Sequence, residues 1–153
     1  MKIKFYQAIF SGLIVLVSSS AHSDDVKEFH FSPESSVRAM VTVANREVSF
    51  STKFGGLYKN SKVSIDSENP VRIEINDYNF DGFKDFSISH IDDGQGTYSI
   101  YRIFVYSKKT KTFFEIQPKC GDEFINIKLN KNKKTVTNSY YSDNVMTGCS
   151  KKY

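Results

Sequence analysis

Short runs rich in Val, Ile, Thr, Phe and Tyr recur along this chain, each closed by a turn signal, and they limit it to β architectures. The runs span Val26–Phe31, Val37–Ala44, Val48–Phe54, Lys62–Asp66, Val71–Asn76, Phe86–Ile91, Tyr98–Tyr106, Thr112–Ile116, Glu123–Leu129 and Thr135–Tyr141, with a short piece around Cys149. Several alternate with the two-residue period of a half-buried strand: Val71, Ile73 and Ile75 share one face, as do Ile125, Ile127 and Leu129. Ala44-Asn45-Arg46, Gly55-Gly56, Asp93-Gly94 and Asn130-Lys131-Asn132-Lys133 punctuate the runs. No stretch beyond the N-terminal leader carries a helical period. The fold class is therefore all-β, an antiparallel sandwich or barrel-like sheet. In Tyr98–Tyr106 both faces are apolar or aromatic, which predicts a central strand covered on both sides, though its tyrosines would also suit a binding surface.

The ends and the cysteines set the compartment. Met1–Ser23 reads as a secretory signal: Lys2 and Lys4 open it, Ala8–Val17 is mostly apolar, and small residues surround Ala21 and Ser23 before Asp24-Asp25. The apolar run is too short for a comfortable membrane span and no second run follows, so no membrane span is expected. No Cys lies near the cleavage site, so no lipid anchor is expected either. Residues 24–153 then form a single β-rich domain, periplasmic or secreted. Its cysteines, Cys120 and Cys149, most simply form one disulfide in an oxidising compartment, the other reading being two free thiols. Losing Lys2 and Lys4 takes the formal charge from +4 to +2, too mild for nucleic-acid binding. The clusters Lys108-Lys109-Thr110-Lys111 and Lys131-Asn132-Lys133-Lys134 read as solvated hairpin tips.

The most chemically specific segment is Asp77-Tyr78-Asn79-Phe80-Asp81-Gly82-Phe83-Lys84-Asp85. Asp77, Asn79, Asp81 and Asp85 stand at positions one, three, five and nine around Gly82, and the Phe83 carbonyl adds a fifth oxygen. Such all-oxygen spacing suits Ca2+ better than a transition metal. Ile88 stands where an EF-hand places its bidentate Glu, which implies weak binding, roughly 10⁻⁵–10⁻³ M. A bare connection using Asp, Asn and Gly for turn chemistry is the other reading. Nothing resembles a nucleophile elbow, a zinc motif or a phosphate loop, so the chain is read as a binding protein and not an enzyme.

The order of parts from Val71 to Tyr153 carries a resemblance. The Asp77–Asp85 loop runs through a strand into Asp92-Asp93-Gly94-Gln95-Gly96-Thr97-Tyr98, then the aromatic strand, Cys120, Phe124-Ile125-Asn126-Ile127, Ser139-Tyr140-Tyr141, Cys149 and Tyr153. This set resembles periplasmic calcium-binding immunity proteins that neutralise peptidoglycan-hydrolase effectors of type IV secretion systems, themselves similar to invertebrate-type lysozyme inhibitors. The resemblance implies a domain that plugs the cleft of a lysozyme-like hydrolase. Its plug would be Gly94, Gln95, Gly96, Thr97 and Tyr98, held beside the calcium loop by the strand Phe86–Ile91. An ordinary hairpin tip is the alternative for the same five residues. An exported β-domain binding a surface protein or glycan without inhibition is the alternative for the whole.

Overall fold

The computed structural model describes residues 26–94 and 96–153, so the expected leader Met1–Ser23 and the loop residue Gln95 lie outside it. Two antiparallel sheets make up the described chain, with no helix among the described residues and hence none long and apolar enough to cross a membrane. β1 (Lys27–Phe31), β2 (Arg38–Ala44), β3 (Glu47–Phe54) and β4 (Leu57–Ser64) form a meander in the order β1-β2-β3-β4. The remaining strands are β5 (Arg72–Asn76), β6 (Asp85–Ile91), β7 (Ser99–Ser107), β8 (Thr112–Ile116), β9 (Phe124–Asn130), β10 (Thr135–Ser142) and β11 (Val145–Lys152). They run β11-β10-β9-β7-β6-β5, with β8 attached to β7.

β7 is the strand on which the rest is organised. One edge pairs with β6. The other edge is divided, with Ile100 and Tyr101 pairing with β9 while Ile103–Ser107 pair with β8. The second sheet splits there and curls into a half-barrel. Side chains on one face of β7, Phe104 and Tyr106, join Phe86, Ile88 and Phe113 against Val41, Val48 and Phe50 of the first sheet. The Phe86 and Phe104 rings stack at 4.9 Å, and Phe50 approaches both at 5.2 Å. Ile103 and Val105 point the other way, into a second core with Tyr78 and Phe124 inside the curl. The expectation of a strand covered on both faces holds, because each face of β7 has its own apolar layer.

Three local readings need correction. β4 begins at Leu57, five residues before the expected Lys62, because Gly55 (φ 56°) and Gly56 (φ 83°) occupy the two left-handed positions of a tight hairpin. The piece around Cys149 is a full strand, β11, since Asp143 (φ 50°) and Asn144 (φ 62°) build the same kind of turn. Ile125, Ile127 and Leu129 do not share a face. Asn126 adopts φ 47° and inserts an extra residue into β9, so Phe124 joins Ile127 and Leu129 in the second core. Ile75, near the end of edge strand β5, stays 37% exposed while Val71 and Ile73 pack inward.

The disulfide forms between Cys120 and Cys149, tying the β8–β9 connection to β11. Buried Asn138 on β10 secures the same connection: its Oδ1 accepts from Ile125 N–H at 2.6 Å, and its Nδ2 donates to the Cys120 and Glu123 carbonyls at 2.8 and 3.2 Å. Gly121 has no substitute there, since a Cβ would stand 2.6 Å from that of Tyr140.

Strand directions give the sandwich two distinct ends. Residues 32–36, 55–56, 77–84, 108–111 and 131–134 and the chain terminus gather at one, joined across the sheets by Lys84 N–H to Pro33 O and Thr52 Oγ1 to Lys111 O. Residues 45–46, 65–71, 92–94, 96–98, 117–123 and 143–144 gather at the other.

Candidate functional site

The Asp77–Asp85 loop joins β5 to β6 and is built on its own carboxylates. Asp77 accepts from Asp81 N–H at 3.1 Å and Gly82 N–H at 2.9 Å. Asn79 Oδ1 accepts from Asp81 N–H at 3.2 Å, and Asp81 Oδ1 from Phe83 N–H at 2.9 Å. Gly82 turns the chain with φ 89°, a conformation L side chains rarely adopt. Asp77, Asn79 and Asp81 are thus wrapped around one short turn. Among the described residues, no three Asp, Glu, His or Cys side chains converge closely enough, as arranged, to hold a metal ion.

Asp85 has a different position from the other four expected ligands. It is the first residue of β6 and fully buried, and its two oxygens accept from Tyr78 N–H and Tyr106 N–H, each at 2.8 Å. Burial pushes its carboxyl up to about 7 against the pull of those two amides, and the nearby Asp81 and Asp77 carboxylates push it further. Tyr78, at position two of the loop, was not singled out by sequence. Its ring is 1% exposed inside the second core, and its hydroxyl shares a 2.6 Å hydrogen bond with buried Ser87. An aromatic between two metal-type positions was the available sign. Phe83 packs its ring against Tyr106 at 5.8 Å and under Lys108, leaving its carbonyl as the donor in question.

The second expected site, the β6–β7 connection, lies at the other end of β6. Seven residues of extended strand place it about 20 Å away, so the plug is not held beside the calcium loop as expected. Asp92 N–H donates to Tyr98 O at 2.9 Å and closes the loop at its base. Gly94, Gly96 and Thr97 are exposed at the tip, and Gly96 takes φ 66°. Tyr98 is half-buried with its ring 6.4 Å from that of Tyr141. Partial burial and then the Asp92 carboxylate push its phenol above the usual value.

Asp93 anchors this loop to the β4–β5 connection. Its Oδ1 accepts from Ser67 Oγ, Glu68 N–H and Asn69 Nδ2 at 2.9–3.0 Å, and from Asn69 N–H at 3.3 Å. Burial alone would raise this carboxyl, but those donors hold it below the ordinary value. In the sequence Asp93 is only part of the Asp93-Gly94 turn signal; the fold alone brings Ser67–Asn69 to it.

Where β8 and β9 part along β7, a cleft of about 480 Å³ opens. Asp66, His90, Arg102, Glu115, Asp122 and Glu123 are among its lining residues. Arg102 forms a bidentate pair with Glu115 at 2.7 and 2.6 Å and donates to Ser64 O at 3.0 Å. No family model, curated protein or solved structure matches the chain.

Proposed function

We propose that this is an exported, calcium-stabilised β-sandwich that inhibits a peptidoglycan hydrolase, in the manner of an immunity protein. The observation that carries the reading is the β6–β7 connection, where Gly94, Gly96 and Thr97 are exposed and the base is tied by Asp92 and by the four contacts of Asp93. A loop whose base is already fixed loses less conformational entropy when it enters a cleft, which is a physical requirement on a plug. Gly96 and Thr97 offer backbone amides and a hydroxyl to a hydrolase's paired carboxylates, and Tyr98 supports the tip against Tyr141. The inhibitor holds the cleft by such contacts and carries out no bond cleavage itself.

The donor set of the Asp77–Asp85 loop fits a hard cation. Asp77, Asn79, Asp81 and the Phe83 carbonyl would hold Ca2+, with Asp85 bordering the site. Bound calcium would neutralise carboxylates that now repel one another. Its effect would be to fix the start of β6, since the plug lies at that strand's far end. The cleft beside Arg102 favours a second reading, a glycan-binding domain without inhibitory action, because its volume and polar lining suit a small sugar.

The test is lysis of peptidoglycan by a panel of lysozymes and wall-cleaving effectors, each with added protein, in calcium and in chelator. Dose-dependent protection lost on Tyr98→Ala is expected. No protection across the panel would sink the inhibitor reading, and clearing by the protein alone would make it an enzyme.

A further inference from the structure

The β3–β4 hairpin presents large apolar side chains that the described residues leave exposed. Leu57 is 75% exposed, Tyr58 60% and Phe54 42%, all flanking the Gly55-Gly56 turn. A hairpin tip needs no apolar residue for its own geometry, so three together point to an interaction surface. Cations surround them. The Lys53 ammonium lies 5.0 Å from the Tyr58 ring centre, and the Lys111 ammonium, already paired with Glu34, lies 5.0 Å from that of Phe54. Lys59 reaches the Thr110 carbonyl, and Lys109 borders the same hollow. The Lys131–Lys134 turn and Lys152 lie at this same end of the sandwich and frame a second hollow. Asp66, Glu68, Asp93, Asp122, Glu123 and Asp143 lie toward the opposite end. Glu34, Asp77 and Asp81 share the lysine end, and Arg46 and Lys119 the other, so it is the excess of each sign that separates along the strands.

We propose that this end docks on an anionic phospholipid surface, with Phe54, Leu57 and Tyr58 entering the interface and the lysines meeting headgroup phosphates. The two features match the two parts of such a surface. Aromatic rings settle at headgroup depth, Leu reaches the acyl boundary, and lysine stems extend along apolar material with their charge in the phosphate layer. A soluble polyanion would use the lysines and leave the apolar tip without a role. A protein partner fits less well, because interface cores are depleted in Lys.

The experiment is co-sedimentation of the purified chain with phosphatidylcholine vesicles, with and without phosphatidylglycerol, in chelator throughout. Chelator separates the result from the calcium reading. Binding only to the anionic vesicles, weakening with salt, is expected. Leu57→Ser with Tyr58→Ser should reduce affinity about tenfold or more, the factor that losing one inserted Leu alone implies. Both positions are exposed, and an unchanged thermal melt would show that the variant is folded. Absence of binding, equal binding to neutral vesicles, or full retention by the double variant would each overturn the proposal. Polyphosphate bound equally by parent and variant, with vesicle binding abolished by competition, would assign the end to soluble polyanions and overturn it as well.

Discussion

Asn138→Ala should be among the most damaging single changes that leave the apolar cores untouched. Asn138 is 3% exposed and uses three of its hydrogen-bonding positions, one on Ile125 N–H and two on the carbonyls of Cys120 and Glu123. Ile125 is itself buried, so its stripped N–H has no water to replace the lost acceptor, a cost of about 1–3 kcal/mol. Cys120 is half-buried and Glu123 exposed, so their carbonyls can turn to solvent at roughly 0.5 kcal/mol each. The sum is about 2–4 kcal/mol. At roughly 3–5 °C per kcal/mol for a domain of this size, the melting temperature should fall by about 6–20 °C. Asn138→Asp sharpens the test. It keeps the acceptor for Ile125 but sets a carboxylate oxygen against two carbonyls, which raises its pKa in the folded state. A raised folded value gives stability below the unfolded pKa of about 3.9 that is lost as pH rises through the folded value. Urea unfolding of this variant should therefore show a deficit at neutral pH that shrinks on acidification. A loss under about 1 kcal/mol for Asn138→Ala, or Asn138→Asp equal to the parent at neutral pH, would refute the hydrogen-bond assignment.

Replacing Cys120 and Cys149 by Ser removes a cross-link of sequence separation 29, and chain entropy puts the loss at about 3.6 kcal/mol by urea denaturation. Asp81→Ala should lower the melting temperature more in calcium than in chelator, where only its hydrogen bonds within the turn are lost; equal losses in both would exclude a metal role. Glu34 is held below the ordinary carboxylate value chiefly by Lys111, with Tyr106 O–H adding to the effect, so it contributes stability above about pH 4.5 that is lost as pH falls through its depressed value. Glu34→Gln should flatten that acid limb in a pH series of thermal melts. Tyr78→Phe leaves the buried Ser87 hydroxyl without its 2.6 Å partner and should cost about 1–2 kcal/mol in urea unfolding.

Periodicity and turn chemistry carried the β-class, most strand positions and the central place of Tyr98–Tyr106, because these depend on residues near one another in sequence. The cysteine pair was equally legible, since two cysteines in one chain allow a single pairing. Boundaries failed where the chain broke its own period: Asn126 in the left-handed region shifted β9 by one residue, and an exposed Leu57–Asn60 hid the start of β4. The turn that Asp77, Asn79 and Asp81 wrap around Gly82 was legible in their spacing. That Asp85 pins two amides beneath it depended on Tyr106, which arrives from β7 only in the folded sheet. The same holds for Asp93 with Ser67–Asn69, and for the gathering of lysines at one end. A contact between distant segments is set by strand order and register, and those are decided when two apolar faces close on one core, not by any local pattern.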